Sequence, residues 1–152
     1  MADLHILIDS STEHTSPTNK YGESIAAWGA WWSNKKESKP VKAGIQYFQN
    51  EGPNKAFYQG VICALEQCMG MCRPKSDIVV FGDCQPVINQ LVGTWKVNKM
   101  QDEYNKVQAL VRKYKREEIT VTFKYMNEND PMYKKIDQLA KFNLKHVPRI
   151  LK

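Results

Sequence analysis

The sequence predicts one α/β domain in which a five-stranded mixed sheet is flanked by helices, with three antiparallel strands followed by two parallel ones. The 152 residues are enough for a single domain of ordinary size. Apolar runs separated by polar turns occupy the first third of the chain, and helical and strand patterns alternate after it. The resulting order of three strands, a helix, a strand, helices, a strand and a helix is typical of an α/β domain.

The first three strands are expected to form an antiparallel meander. Residues 4–8 are apolar and are followed by Asp9, and the polar stretch 10–13 predicts a turn. Residues 26–32 and 41–48 are the second and third strands, separated by a polar turn.

The rest of the chain alternates helices with strands. Apolar residues recur at helical spacing over 55–72, and Pro74 is expected to end this helix; its buried face would contain Tyr58, Val61, Ile62, Leu65 and Met69. Residues 77–81 and 119–125 are the fourth and fifth strands. A short helix over 84–92, an amphipathic helix around 104–116 and a last helix from about 132 complete a domain placed at 1–146, with a basic tail at 147–152.

The charge of the chain favours an anionic partner. Lys and Arg number 22 against 16 Asp and Glu, giving a formal net charge of +6. Neither a secretory signal nor a membrane span is visible, so we expect an intracellular protein with reduced cysteines and no membrane partner. The histidines and the four cysteines lack the spacing of a zinc site. The basic cluster of residues 112–116 is expected at the C-terminal end of a helix, where positive charges interact favourably with the helix dipole. Contact with phosphate groups is the alternative explanation.

Three aspartates fall where strand ends and a helix start could converge. Asp9 follows the first strand, Asp83 follows the fourth, and Asp137 opens the last helix. Sites in α/β sheets form at the rim where neighbouring strands end. Clustered carboxylates repel one another unless they hold a cation, and Mg²⁺ prefers oxygen ligands. Two such ions could position the attacking water and the leaving oxygen of a phosphodiester. A turn or capping role explains each aspartate taken alone.

Several segments together resemble the ribonuclease H family, near its reverse-transcriptase-like branch in plants and retroelements. They are Asp9 itself, Trp28-Gly29-Ala30, Ala43-Gly44, the helix from Asn54 to Glu66, Gly82-Asp83-Cys84-Gln85 with Val87, Asn89 and Gln90, and Ile136-Asp137-Gln138-Leu139-Ala140. The resemblance runs from about residue 4 to residue 144. It implies a ribonuclease H-like fold, with Asp9, Asp83 and Asp137 as catalytic residues and as ligands of up to two Mg²⁺ or Mn²⁺ ions.

The chain departs from the family pattern at two positions. The resemblance implies a metal-binding glutamate where Phe57 stands, and a histidine where Asn127 stands. Three interpretations of Phe57 stay open. The site is dead, or three carboxylates suffice as in integrases and transposases of this fold, or a glutamate swings in from a loop. Candidates for the last are Glu13, Glu23 and Glu51.

Four further residues are candidates for substrate binding. The resemblance implies that Asn54 and Gln85 reach the minor groove of an RNA/DNA hybrid, and that Trp95 and Lys96 flank the DNA strand. Helix capping explains Asn54 equally well, a solvated side chain explains Gln85, and partial burial in the core explains Trp95.

These observations support three functional hypotheses. The first is a ribonuclease H-like protein that binds RNA/DNA hybrid or structured RNA and, if active, hydrolyses the RNA strand as an endonuclease. The second is an inactive scaffold of the same fold that binds RNA or a protein partner, within a ribonucleoprotein or retroelement assembly. The third and weakest is a DNA nuclease of the integrase or resolvase type.

Overall fold

The computed structural model describes residues 3–13, 23–33, 40–49, 52–93, 96, 100–126, 129–131, 134–136 and 138. Five strands and three helices have bounds within these ranges, in the order β1 (Leu4–Glu13), β2 (Glu23–Trp32), β3 (Lys42–Gln49), α1 (Gly52–Gln67), β4 (Asp77–Gly82), α2 (Gln85–Leu91), α3 (Gln101–Arg116) and β5 (Thr120–Tyr125). Residues 131, 134–136 and 138 are also helical. None of the helices within these ranges is long and apolar enough to cross a membrane.

All five strands form one mixed sheet, in the order β3-β2-β1-β4-β5. The pairs β3–β2 and β2–β1 are antiparallel, whereas β1–β4 and β4–β5 are parallel. The crossovers that parallel pairing requires contain α1 on one side of β4 and α2 with α3 on the other. The predicted mixed sheet is therefore confirmed, and β1 is its central strand.

Alternation along β1 divides the core between the two faces of the sheet. Ile6 and Ile8 face the larger cluster, which contains the buried residues of α1 and α3. Leu7 faces a smaller cluster on the opposite side, and Ile136 packs into it. The approach of Ile136 is close, because a Cβ added to Gly29 of β2 would lie 2.8 Å from its Cδ1 atom. Both faces of the central strand are thus buried, as its apolar sequence predicts.

The predicted turn at residues 10–13 is wrong, because this stretch continues β1. It pairs with β2 from Ser10 opposite Ala26 to Glu13 opposite Glu23. The antiparallel partner satisfies the backbone of these polar residues, and the local preference for a turn is overridden. For the same reason β2 begins at Glu23, three residues before its predicted start.

The predicted end of the first helix is also wrong. α1 begins at Gly52 and ends at Gln67, several residues before Pro74. Gly70 has a φ of +82°, a left-handed conformation typical of the residue that follows a helix. The helix has therefore ended, and the chain has turned at Gly70, before Pro74 is reached. Four of the five residues predicted for its buried face are buried, and Met69 is partly buried.

Candidate functional site

Asp9 and Asp83 lie side by side where the parallel pairing of the two central strands ends. The ladder between β1 and β4 runs from Leu4 opposite Ile78 to Ile8 opposite Gly82, so each aspartate directly follows the last pair. Neighbouring strands are about 4.8 Å apart, which brings the two backbones close. Asp9 is 3% exposed and Asp83 is partly exposed. The two aspartates are therefore neighbours where this parallel ladder ends, Asp9 nearly buried within β1 and Asp83 partly exposed just beyond β4.

Cys84 connects this pair of carboxylates to the first turn of α1. Its thiol donates a hydrogen bond to Asn54 Oδ1, with sulfur and oxygen 3.1 Å apart. Burial raises the pKa of Cys84 to about 11, and the negative charges of Asp83 and Asp9 contribute to the increase. Asn54, Cys84 and the two aspartates thus belong to one cluster, which we call the carboxylate edge.

Phe57 closes the side of the carboxylate edge that faces α1. Its side chain is fully buried, and a Cβ added to Gly82 would lie only 2.0 Å from its Cζ atom. The tip of the ring therefore points at Gly82, which directly precedes Asp83. This close approach is possible only because residue 82 has no side chain. An apolar ring accordingly occupies the flank of the site at which the family resemblance implies a glutamate.

The carboxylate edge has donor atoms suited to a hard divalent cation. Asp9 and Asp83 contribute carboxylate oxygens, which are the ligands Mg²⁺ prefers, whereas Phe57 contributes none. Within the described ranges no group of three or more His, Cys, Asp or Glu side chains is arranged to hold a metal. Asp137 lies outside those ranges, although its neighbour Ile136 packs beneath the sheet.

Two of the candidate substrate-binding residues in the described ranges are exposed. Gln85 begins α2 next to the carboxylate edge, and Lys96 lies in the connection between α2 and α3. Asn54 is partly buried at the edge itself. Trp95 and Asn127 lie outside the described residues, as does the predicted tail at 147–152.

A buried polar contact that the sequence did not indicate supports the same region. The Tyr58 hydroxyl donates to Gln90 Oε1 at 2.6 Å, joining α1 to α2. Both residues are less than a tenth exposed. The helical periodicity predicts only that Tyr58 faces the core, and it does not reveal the hydrogen-bond partner of its hydroxyl group. The contact fixes α2 and therefore the position of Gln85.

The backbone positions of two loop-glutamate candidates argue against their reaching the site. Glu13 is four residues beyond Asp9 along β1, a distance of about 13 Å in a strand. Glu23 is paired opposite Glu13, equally far along the sheet. Glu51 lies outside the described residues.

The fold and the carboxylate edge define a class of protein, the ribonuclease H-like α/β domains. Among solved structures, ribonuclease H1 from the archaeon Halobacterium salinarum is 20% identical, with a TM-score of 0.75 over 95% of this chain and 98% of that one. LC11-RNase H1, isolated from compost, was solved in complex with an RNA/DNA hybrid; it is 15% identical, with a TM-score of 0.71 over 93% of this chain and 99% of that one.

A foamy viral protease-reverse transcriptase, solved in complex with an RNA/DNA hybrid, has the same fold in one part of a much longer chain. It is 12% identical, with a TM-score of 0.72 over 96% of this chain and 20% of that one. The family model described as reverse transcriptase-like matches residues 18–142. The chain therefore belongs to the reverse transcriptase-like family, within the ribonuclease H fold. A search of curated protein sequences finds no match.

Proposed function

We propose that this chain is a nucleic-acid-binding protein that takes RNA/DNA hybrid across its carboxylate edge. The observation that carries this proposal is the proximity of Asp9, Asp83 and Asn54 at the rim where the parallel ladder between β1 and β4 ends. In an α/β sheet this rim is where ligands bind. Gln85 and Lys96, exposed nearby in the chain, add a polar and a basic contact.

The charge of the chain supports an anionic ligand. The net charge of +6 attracts phosphates over a long range, whereas the two aspartates would repel a phosphate that approached them directly. A divalent cation held by Asp9 and Asp83, with Asp137 as a further ligand, removes that repulsion. When bound, such a cation would also assist hydrolysis of a phosphodiester, by activating water and neutralising charge on the phosphate.

Phe57 weakens hydrolysis in this proposal without removing binding. Its ring fills the flank between α1 and Gly82, so no ligand oxygen reaches a cation from that direction. The remaining three aspartates would hold one cation well and a second poorly. We therefore expect the chain to bind RNA/DNA hybrid more tightly than a DNA duplex and to cleave the RNA strand slowly. The proposed domain spans residues 1–146.

The solved relatives that carry an RNA/DNA hybrid have the same fold, which supports the choice of ligand. A non-catalytic scaffold that binds RNA or a protein partner is the second candidate. It is favoured by the same buried ring of Phe57, because a protein that only binds has no need of a second cation.

Cleavage of a labelled hybrid in Mg²⁺ and in Mn²⁺ tests the proposal. We expect slow cleavage by the wild type and none by Asp83→Asn. Glu66→Gln is the matched control, because it removes the same charge from an exposed position near the opposite end of α1. Binding of the hybrid without cleavage in either metal would favour the scaffold, and absence of hybrid binding would refute the proposed ligand.

Phe57→Glu tests the missing ligand directly, and faster cleavage by this variant would identify Phe57 as the limiting residue. Because position 57 is fully buried, the variant could unfold instead. Paramagnetic resonance of Mn²⁺ added to the wild type provides a second measurement. We expect the wild type to bind one Mn²⁺ ion and Asp83→Asn to bind none. Equal binding of Mn²⁺ by the two proteins would refute the cation site.

A further inference from the structure

The hydrogen bond between Cys84 and Asn54 fixes which end of the Asn54 amide is free. The amide has an oxygen that accepts and a nitrogen that donates two hydrogens. The thiol has one hydrogen to donate and is only a weak acceptor, so it pairs with the oxygen. In the structure Cys84 Sγ lies 3.1 Å from Asn54 Oδ1, which leaves the Nδ2 group available to a ligand.

Cys84 makes this contact from the N-terminal end of its own helix. It is the N-cap residue of α2, where Ser, Thr, Asp or Asn would normally accept a hydrogen bond from the helix backbone. Its side chain makes no hydrogen bond of full capping geometry, although the backbone of Val87 lies close enough to lower the pKa of the thiol. The thiol donates across to α1 instead, joining the start of one helix to the start of another at the carboxylate edge.

We propose that Cys84 is a positioning residue that holds the Asn54 amide with its donor end toward the nucleic acid. A donor selects acceptors, and the minor groove of a hybrid presents base acceptors together with the 2′-hydroxyl groups of its RNA strand. This inference rests on the proposed function and adds to it a means by which the minor groove of a hybrid is contacted.

The contact itself can be tested in the protein without any nucleic acid. The infrared S–H stretching band of Cys84 is obtained by subtracting the spectrum of Cys84→Ala from that of the wild type. In Asn54→Ala this band should move to higher frequency, because the hydrogen bond is lost. A band that does not move would overturn the positioning contact, whatever the protein binds.

Hybrid affinity tests the consequence for recognition. Loss of one such hydrogen bond corresponds to about a 2- to 10-fold weaker Kd in Cys84→Ala, whereas Cys84→Ser keeps a donor and should stay within about 2-fold of the wild type. Cys72→Ala is the control, since that thiol is also partly buried but lies outside the carboxylate edge. Equal loss in the serine and alanine variants would overturn the donor role.

A double-mutant cycle separates positioning from a general loss of structure. Once Asn54 is replaced by alanine, Cys84→Ala should weaken hybrid binding no further, because the two residues act through one amide. An undiminished additional loss would overturn the inference. A wild type that binds no hybrid at all would refute the proposed function and the recognition step together, while the S–H band still decides the contact.

Discussion

Replacing Gly82 with alanine tests the packing that places an apolar ring beside the site. The new Cβ would lie 2.0 Å from Phe57 Cζ and 2.5 Å from Cε2, whereas carbon atoms normally pack at about 3.5–4.0 Å. The ring would therefore have to move by about 1.5 Å within a close-packed core. Such overpacking costs about 1–3 kcal/mol, and we expect a value near the upper end.

The measurement is urea unfolding of Gly82→Ala, Phe57→Ala and the double variant. Phe57→Ala alone should cost about 3–5 kcal/mol, because it opens a cavity in the core. In the double variant the added methyl group enters that cavity, so its loss of stability should be smaller than the sum of the two by about 1–3 kcal/mol. The single Gly82→Ala change should lower Tm by about 4–10 °C in a chain of this size.

Gly29→Ala is the matched control, since its Cβ would meet Trp31 and Ile136 on the opposite face of the sheet. Combined with Phe57→Ala, it should give additive losses within about 0.5 kcal/mol. Additive losses for Gly82→Ala with Phe57→Ala would refute the reasoning, because they would mean that the ring does not rest on residue 82.

Three further predictions concern stability. Glu118→Gly should raise the free energy of unfolding by about 0.5–1 kcal/mol in urea melts, because Glu118 has a φ of +63°; a loss would contradict this. Tyr58→Phe should lower it by about 1–3 kcal/mol, since Gln90 Oε1 loses its buried donor; no change would count against the contact. Burial raises the pKa of Cys68 from 9.0 to about 12, so the free energy of unfolding should fall between these pH values, by at most about 1.4 kcal/mol per pH unit. The fall should be less steep in Cys68→Ala, and the same dependence on pH in both proteins would exclude this group.

The sign of the Cys68 effect follows from which state keeps the proton. Below pH 9 the thiol is protonated in both states, so it leaves stability unchanged with pH. Between pH 9 and about 12 the unfolded chain loses the proton and the folded chain keeps it, so each step upward favours unfolding. Above about 12 both states are ionised and the slope from this group disappears.

The local sequence pattern was sufficient to predict those strands and helices whose intrinsic secondary-structure preference agrees with the structure they adopt in the fold. β4 and β5 were predicted within one residue of their observed bounds, because each is a β-branched run with turn residues before it. The polar stretch 10–13 has the local composition of a turn but forms part of β1, because it pairs with β2, which a local pattern does not reveal. Tertiary pairing outweighed composition there.

The candidate site was predictable in part for a related reason. The apolar run before Asp83 correctly predicts that this residue follows the end of β4, whereas the prediction that Asp9 ends the first strand is wrong, because β1 continues to Glu13. The parallel register of β1 and β4 nevertheless brings the two aspartates together. The thiol contact from Cys84 to Asn54 joins residues 30 positions apart, and no spacing rule connects them. The close approach of Phe57 to Gly82 likewise depends on how α1 packs on the sheet.

The affinity for RNA/DNA hybrid in the presence and absence of Mg²⁺ tests the central claim most directly. The account predicts that the wild type binds hybrid more tightly than a DNA duplex of the same sequence, and that Mg²⁺ strengthens this binding. Asp83→Asn should lose the effect of Mg²⁺, whereas Glu66→Gln should keep it. Equal affinities for hybrid and duplex, unaffected by Mg²⁺ in all three proteins, would contradict the assignment of the carboxylate edge as a nucleic-acid site.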